Sequence, residues 1–165
     1  MFTLPSKLAS LDAPIDVGII GAGVFGTKLA DQIERVSGMH TAAVADIDLS
    51  AGRDTFHEAG VDEATVSTVE TTAEVNEVIA SGGRALLEDG MALVHSDVDV
   101  VVEATCVSNA AAKHAYSAIL ADKHVMMVTV EVDTVVGPIL AEMANSAGVT
   151  YSMAYGDQPS LIVEL

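Results

Sequence analysis

The sequence has few basic and aromatic side chains and a single cysteine. Its 165 residues include 7 Lys and Arg against 24 Asp and Glu, which gives a formal net charge of −17, and aromatic residues make up 4%. Nucleic acids and anionic membrane surfaces are bound through clusters of basic side chains, so the composition argues against both as partners. The single Cys106 excludes an internal disulfide and is typical of a reducing compartment, so we expect a cytoplasmic protein.

Long hydrophobic runs are also missing, although hydrophobic residues make up 50% of the chain. No apolar stretch reaches the ~18 residues of a transmembrane helix, and residues 1–14 form a polar leader without the features of a signal peptide. The acidic residues are dispersed rather than grouped, which favours an acidic solvated surface over a docking face for a basic partner. The sequence therefore predicts one domain with a substantial core.

Short β-branched runs alternate with segments of helical periodicity along residues 15–152. Strands are predicted at 15–20, 41–46, 84–88, 98–104, 124–129 and 149–152. Helices are predicted at 25–36, 50–58, 73–79, 91–94, 110–121 and 136–147, with Ser50, Thr72 and Asp89 as N-caps and Pro138 near the first turn of the last helix. This alternation is typical of right-handed βαβ units, and it predicts an α/β fold with a doubly wound, parallel, six-stranded sheet.

A glycine-rich turn follows the first strand. Gly21, Gly23 and Gly26 form the pattern G-x-G-x-x-G, with Val24 and Phe25 between the last two glycines. Between a strand and a helix, this pattern is typical of a dinucleotide site. The first glycine permits the turn, the second lets a pyrophosphate approach the backbone, and the third lets the helix pack closely on the strand. The alternative is a turn whose glycines serve packing alone; an NTPase phosphate loop is excluded because no lysine follows Gly26 directly.

An acidic residue ends the second predicted strand. Asp46 follows Gly26 by 20 residues, where an acid of a dinucleotide site accepts hydrogen bonds from ribose hydroxyls. A carboxylate at this position repels a 2′-phosphate, so NAD is favoured over NADP as the cofactor. Arg53 follows Asp46 by seven residues and leaves NADP as an alternative cofactor. Asp48 is either a weaker ribose ligand or an acid at the start of a helix.

Two further strand ends carry acidic side chains. Glu103 lies near the end of an otherwise apolar strand, where it either orients a loop, contacts the cofactor or accepts backbone hydrogen bonds. The next residues, Ala104, Thr105 and Cys106, are expected to pass along the nicotinamide half of the cofactor. Glu131 closes the fifth predicted strand at the same edge, in a position to meet the nicotinamide ribose or a substrate.

The cysteine and the histidines give no catalytic or metal-binding pattern. No histidine is spaced to act as a base for a nucleophilic Cys106, which we interpret as a small buried residue. His114 occupies an ordinary position on an amphipathic helix, and the other histidines are scattered. No spacing of His, Cys and carboxylate residues is typical of a metal site.

Several of these segments together resemble the homoserine dehydrogenase-like NAD(P)-binding oxidoreductases. The resemblance rests on the glycine turn, Asp46, residues 98–105, residues 124–131 and the Tyr155–Pro159 turn. It is closer to the branch whose longer members carry a C-terminal SAF domain, which includes the deoxyxylulose-phosphate reductoisomerase-like oxidoreductases. Homoserine dehydrogenases themselves carry a catalytic lysine where this chain has Val132, which argues against homoserine as the substrate.

This resemblance implies a Rossmann cofactor domain at residues 15–152, with residues 153–165 as the start of a truncated catalytic domain. It implies an oxidoreductase that uses NAD or NADP to move a hydride to or from a small polar metabolite, with a homo-oligomer as one candidate assembly. Glu131 and Asp157 are the candidate catalytic acids. A non-catalytic NAD(P)H-binding sensor and homoserine dehydrogenase itself are the alternatives.

Overall fold

The computed structural model describes residues 7, 8 and 10–154, and a parallel β-sheet forms the centre of this part of the chain. Its strands are Ile15–Ile20 (β1), Met39–Ala45 (β2), Val66–Thr68 (β3), Arg84–Leu87 (β4), Val100–Glu103 (β5), His124–Met127 (β6) and Tyr151–Met153 (β7). Across the sheet the order is β3-β4-β2-β1-β5-β6-β7, and neighbouring strands are parallel. Without β3, this is the order of a doubly wound dinucleotide-binding domain.

Helices cover both faces of the sheet. They are Val24–Glu34 (α1), Leu49–Glu58 (α2), Thr72–Ala80 (α3), Gly90–Val94 (α4), Ser108–Leu120 (α5) and Val130–Ala147 (α6). One face of the sheet packs against α1 and α2, where Ile33 and Phe56 are buried, and the other packs against α3 to α6, where Leu93 and Ile119 are buried. Strands covered on both sides are apolar throughout, which explains the continuous apolar runs in the sequence. None of the helices among the described residues is long and apolar enough to cross a bilayer.

The sheet has one strand more than the sequence predicts. Val66–Thr68 forms β3, which pairs with β4 alone at the edge of the sheet. Ser67 and Thr68 are exposed, so β3 lacks the apolar run by which the other strands are recognised. The predicted number of six strands is therefore wrong, while the predicted α/β class with a doubly wound parallel sheet is confirmed.

The last helix begins earlier than predicted. Because α6 begins at Val130, Glu131 lies in the first turn of a helix and not at the end of a strand. Pro138 lies inside this helix, whereas the sequence places it near the first turn. β-branched residues at 128–130 and the preference of proline for a first turn both favour a later start. The longer helix is stabilised by packing, since Val132 is buried against the sheet.

Three helices begin at side chains that cap their amides. Asp48, Thr71 and Asp89 are the N-caps of α2, α3 and α4. The sequence predicts Asp89 correctly, but its other two predicted caps, Ser50 and Thr72, lie inside the helices. Hydrogen bonds from the Ser50 hydroxyl and amide hold the pKa of the Asp48 carboxyl below its usual range. The sequence leaves Asp48 as a ribose ligand or as an acid at the start of a helix, and the structure shows it at the start of a helix.

The carboxyl ends of the central strands meet at one edge of the sheet. Ile20 lies beside Ala45 in the register of β1 with β2, and beside Glu103 in the register of β1 with β5. Ala45 in turn lies beside Leu87 of β4. The chain segments after these four strands therefore leave the sheet side by side, which is where ligands bind in open α/β sheets.

Phe56 fills the centre of the core on the α1–α2 face. Its side chain is fully buried in a cluster that includes Val44 and Leu86. Phe56→Ala leaves a cavity there and should lower the free energy of unfolding, measured by urea denaturation, by about 3–5 kcal/mol. Phe25→Ala is the matched control, because Phe25 is 47% exposed and the same truncation should cost less than about 1 kcal/mol. Equal losses in the two variants would contradict the packing described.

Candidate functional site

The glycine-rich turn joins β1 to α1 at the carboxyl edge of the sheet. Gly21 has a φ of +105°, and a β-carbon there would lie 2.6 Å from the carbonyl group of Ala104. A β-carbon at Gly26 would collide with the carbonyl oxygen of Gly21, so only glycine lets α1 approach β1 this closely. A β-carbon at Gly23, by contrast, has no atom within 4 Å. The first and third glycines therefore serve packing, and the second faces open space.

The N-terminus of α1 carries no side-chain cap. Gly23 is its N-cap residue, and no acidic residue lies in the first turn. The first amides of a helix have no acceptor within the helix, and together with the helix dipole they attract an anion. Val24 and Phe25 supply two of these amides, and their side chains are 85% and 47% exposed. This helix start can therefore bind a phosphate group beside Gly23.

Asp46 ties the segment after β2 to the glycine turn. Its Oδ2 accepts a hydrogen bond from the Ala22 amide at 2.7 Å, and its Oδ1 accepts one from the Asp48 amide at 2.8 Å. A carboxylate oxygen accepts more than one hydrogen bond, so this half-buried side chain keeps acceptor capacity toward a ligand. Asp46 thus lies beside the glycine turn, where the sequence predicts the ribose ligand.

Glu103 is fully buried at the end of β5 and connects two loops. Its Oε1 accepts a hydrogen bond from the Thr105 hydroxyl at 2.6 Å, and its Oε2 accepts one from the Thr129 hydroxyl at 2.6 Å. The Thr129 hydroxyl also accepts a hydrogen bond from the Cys106 amide at 3.2 Å. One carboxylate therefore holds the segments after β5 and β6 together, which agrees with the interpretation of Glu103 as a residue that orients a loop.

Cys106 is exposed, so the expectation of a small buried residue is wrong. Its φ of +56° lies in the left-handed region, at the point where the chain turns from β5 toward α5. This turn lies at the carboxyl edge of the sheet, outside the hydrophobic core. A sequence pattern does not show which side chain of such a turn faces solvent, and this is why the burial was predicted wrongly.

A cavity of about 580 Å³ opens at this edge of the sheet. It is lined by the segments after β1, β2, β4 and β5 and by the start of α5. The predicted cofactor residues that line it are Gly21, Gly23, Asp46, Ala104, Thr105 and Cys106. Three more predicted cofactor residues do not line the cavity. Val24 and Phe25 lie at the adjacent start of α1, and Gly26 packs against the carbonyl oxygen of Gly21.

The two candidate catalytic acids are not brought to this cavity. Glu131, also predicted to contact the cofactor, is exposed on the first turn of α6 and is not a lining residue. Asp157 and the Tyr155–Pro159 turn lie outside the described residues. Within residues 7, 8 and 10–154, no group of three or more His, Cys, Asp or Glu side chains is arranged to hold a metal ion.

Sequence reasoning missed three polar residues of the cavity. Glu88 and Asp89 follow β4, and their place directly after a predicted strand was a usable signal, since parallel strands end at a shared edge. His114 lines the cavity from α5. Its position gave no signal, because the rotation of a helix against the sheet is not visible in a sequence. Of the described residues that line the cavity, none is Lys or Arg.

Comparison with known proteins by sequence finds no match, either among protein-family models or among curated proteins. Solved structures do match the fold. GenD2 from gentamicin A biosynthesis, in complex with NAD, is 22% identical with a TM-score of 0.60, over 86% of this chain and 34% of that chain. Scyllo-inositol dehydrogenase from Lactobacillus casei, with bound NAD(H) and scyllo-inositol, is 17% identical with a TM-score of 0.59, over 92% of this chain and 40% of that chain.

A third structure, the NAD binding oxidoreductase from Klebsiella pneumoniae, is 22% identical with a TM-score of 0.59, over 86% of this chain and 34% of that chain. This chain therefore spans about a third to two fifths of the length of these neighbours. The homoserine dehydrogenase-like assignment and its SAF-bearing branch stay predictions from the sequence. What the likeness establishes is the fold: the described residues share the Rossmann-type architecture found in NAD-binding oxidoreductases.

Proposed function

We propose that this chain is the NAD-binding domain of an oxidoreductase that transfers a hydride to or from a small polar metabolite. The observation that carries the proposal is the glycine turn, in which packing requires Gly21 and Gly26 while Gly23 faces open space beside a cavity. A pyrophosphate that approaches the backbone needs this space. The uncapped amides of α1 lie next to it and attract the charge of the phosphates.

The residues of the cavity fit the parts of a dinucleotide. The amides of Val24 and Phe25 bind the pyrophosphate, Asp46 accepts hydrogen bonds from a ribose, and the Thr105–Cys106 segment contacts the nicotinamide half. Glu103 holds that last segment in place through the Thr105 hydroxyl. The bound nicotinamide supplies the hydride chemistry, and the part of this chain is to bind and orient it.

The charges around the cavity favour NAD over NADP. Asp46, Glu88 and Asp89 all line it, and three carboxylates repel the additional 2′-phosphate of NADP. Arg53 is the basic residue that leaves NADP as an alternative in the sequence. It forms an ion pair with Glu63 and donates a hydrogen bond to the Thr68 hydroxyl at 3.0 Å. It is not a lining residue of the cavity, so it is not placed to neutralise a 2′-phosphate.

The structural neighbours support an oxidoreductase with a small-molecule substrate. Two of them were solved with NAD or NAD(H), and one of these also holds scyllo-inositol, a small polar molecule. Those chains are longer than this one, so we assign most of substrate binding and catalysis to a second domain of the whole protein. From the sequence resemblance we propose that the whole protein belongs to the SAF-bearing homoserine dehydrogenase-like branch, with Glu131 and Asp157 as acids near the substrate.

A non-catalytic NAD(P)H sensor would use the same contacts in this domain. Turnover separates the two functions, because an oxidoreductase consumes NAD or NADH with its substrate and a sensor only binds it. We favour the enzyme because two of the named structural neighbours are a dehydrogenase and an oxidoreductase.

The preference for NAD is tested by calorimetric titration of the chain with NAD and NADP. We expect NAD to bind at least about tenfold more tightly, which corresponds to ~1.4 kcal/mol of repulsion at the 2′-phosphate. Asp46→Asn removes one of the three charges and should lower the ratio of the Kd for NADP to the Kd for NAD severalfold. Glu77→Gln is the control, because Glu77 is exposed on α3 away from the cavity and its loss should leave the ratio unchanged. Equal or tighter binding of NADP by the unsubstituted chain would contradict the assignment of NAD.

The role of Gly23 is tested by Gly23→Ala. A methyl group there meets no atom of the protein, so the melting temperature should stay within about 3 °C of that of the unsubstituted chain. The methyl group does, however, occupy the space of the pyrophosphate. We expect the Kd for NAD to rise at least about tenfold, as measured by calorimetry. Gln32→Ala, exposed on the same helix, is the control and should bind as the unsubstituted chain does. Unchanged affinity in Gly23→Ala would overturn the proposed phosphate site.

A further inference from the structure

One side chain of the cavity has a role that the glycine turn and Asp46 do not supply. His114 lies on α5, and its side chain is 12% exposed. Its Nδ1 is 3.4 Å from Oε1 of the fully buried Glu103. Gly90 leaves room for the ring on the other side, because a β-carbon at Gly90 would lie 2.9 Å from Nε2 of His114. The imidazole is therefore held between a buried carboxylate and Gly90, and it lines the cavity.

This contact determines which ring nitrogen changes with protonation. A carboxylate accepts hydrogen bonds, so Glu103 favours a proton on Nδ1. Nε2 then carries a lone pair in the neutral ring and an N–H in the protonated ring. The neutral ring adds no charge to the cavity that it lines, whereas the protonated ring adds a positive charge that attracts an anion. The difference between the two states of His114 is thus a difference in affinity for a negatively charged ligand.

The charges around α5 are mostly negative. The titratable groups on the elements that pack against it are Glu103 on β5, Glu88, Asp89 and His95 around α4, His124 on β6, and Glu131, Asp133 and Glu142 on α6, with Lys113 on α5 itself. Of these, Glu103 contacts the ring of His114, and Glu88 and Asp89 share the cavity with it, together with Asp46 and the thiol of Cys106. Among the described residues that line the cavity, His114 is the one basic side chain.

We propose that His114 is the anion-binding side chain of this cavity and that its protonation strengthens binding of the pyrophosphate of the dinucleotide. The inference rests on the proposed NAD site. A dinucleotide brings two phosphate charges into a cavity that Asp46, Glu88 and Asp89 already make negative. The charged ring of His114 offsets part of this repulsion, with Glu103 as its buried counter-ion. Affinity for the dinucleotide should therefore be higher at a pH where the ring is protonated than at a pH where it is neutral.

The test is calorimetric titration of the chain with NAD, ADP-ribose and adenosine at about pH 5.5 and about pH 8.5, which bracket most of the range in which histidine side chains of proteins change charge. The diester pyrophosphate stays ionised at both values, so a change in affinity comes from the protein. We expect NAD and ADP-ribose to bind about tenfold more tightly at the lower pH, the scale of one charge in a partly solvated site. Adenosine, which lacks phosphate, should bind equally at both.

Two variants assign the effect to its residue. His114→Gln removes the titrating ring, so the affinity for NAD should no longer depend on pH and should match the weaker value of the unsubstituted chain. His95→Gln removes an exposed histidine that does not line the cavity, and it should keep the tenfold ratio. If His114→Gln fails to fold, the unsubstituted chain still decides the question. Binding of NAD at several pH values between about 5.5 and about 8.5, measured in buffers of different ionisation enthalpy, should then take up protons within this range, and an uptake of zero at all of them overturns the inference.

The outcomes separate this inference from the proposed function. The role of His114 is overturned if the affinity for NAD differs by less than about twofold between the two pH values. It is also overturned if the tenfold difference is retained in His114→Gln or is seen equally with adenosine. Either result leaves the NAD site standing. Failure of NAD and ADP-ribose to bind at either pH overturns both. A tenfold ratio that depends on phosphate and is lost in His114→Gln supports both.

Discussion

The site depends on the close approach of α1 to the end of β1. A β-carbon at Gly26 would collide with the carbonyl oxygen of Gly21, so this contact exists only because position 26 is glycine. It keeps the turn short, and the helix therefore begins at Val24, directly beside the carboxyl edge of the sheet. Gly21 also lies against the backbone of Ala104, which brings the segments after β1 and β5 together. The open space at Gly23 results from this arrangement.

Two carboxylates then fix the neighbouring loops. Asp46 accepts the amide of Ala22, and Glu103 accepts the hydroxyls of Thr105 and Thr129. In a chain with a net charge of −17, these acids stabilise the backbone of the site while the remaining acids are dispersed over the sequence. Binding of an anion is consequently left to backbone amides, to which we add the imidazole of His114. Under the proposed function, this division of roles explains how so acidic a protein binds a charged dinucleotide.

Features that depend on local pattern and on chain order could be predicted from the sequence. Six strands, the glycine turn and the position of Asp46 beside that turn all come from patterns that parallel α/β folds impose. Prediction failed where tertiary packing overrides local preference, as at the start of α6, or where the pattern is weak, as in the exposed edge strand β3. It also failed for side-chain direction: the exposed thiol of Cys106 and the cavity-facing ring of His114 depend on how a turn and a helix sit against the sheet.

Whether the glycine turn binds the dinucleotide is tested most directly by amide chemical shifts in an NMR titration of the chain with NAD. We expect the largest changes at the amides of Gly23, Val24 and Phe25, with smaller changes at Asp46 and Thr105. The groove between α5 and α6 is a second cavity, of about 550 Å³, and includes Ile139. Amides there should not shift. Changes confined to that groove, or none at the glycine turn at saturating NAD, would contradict the proposed dinucleotide site.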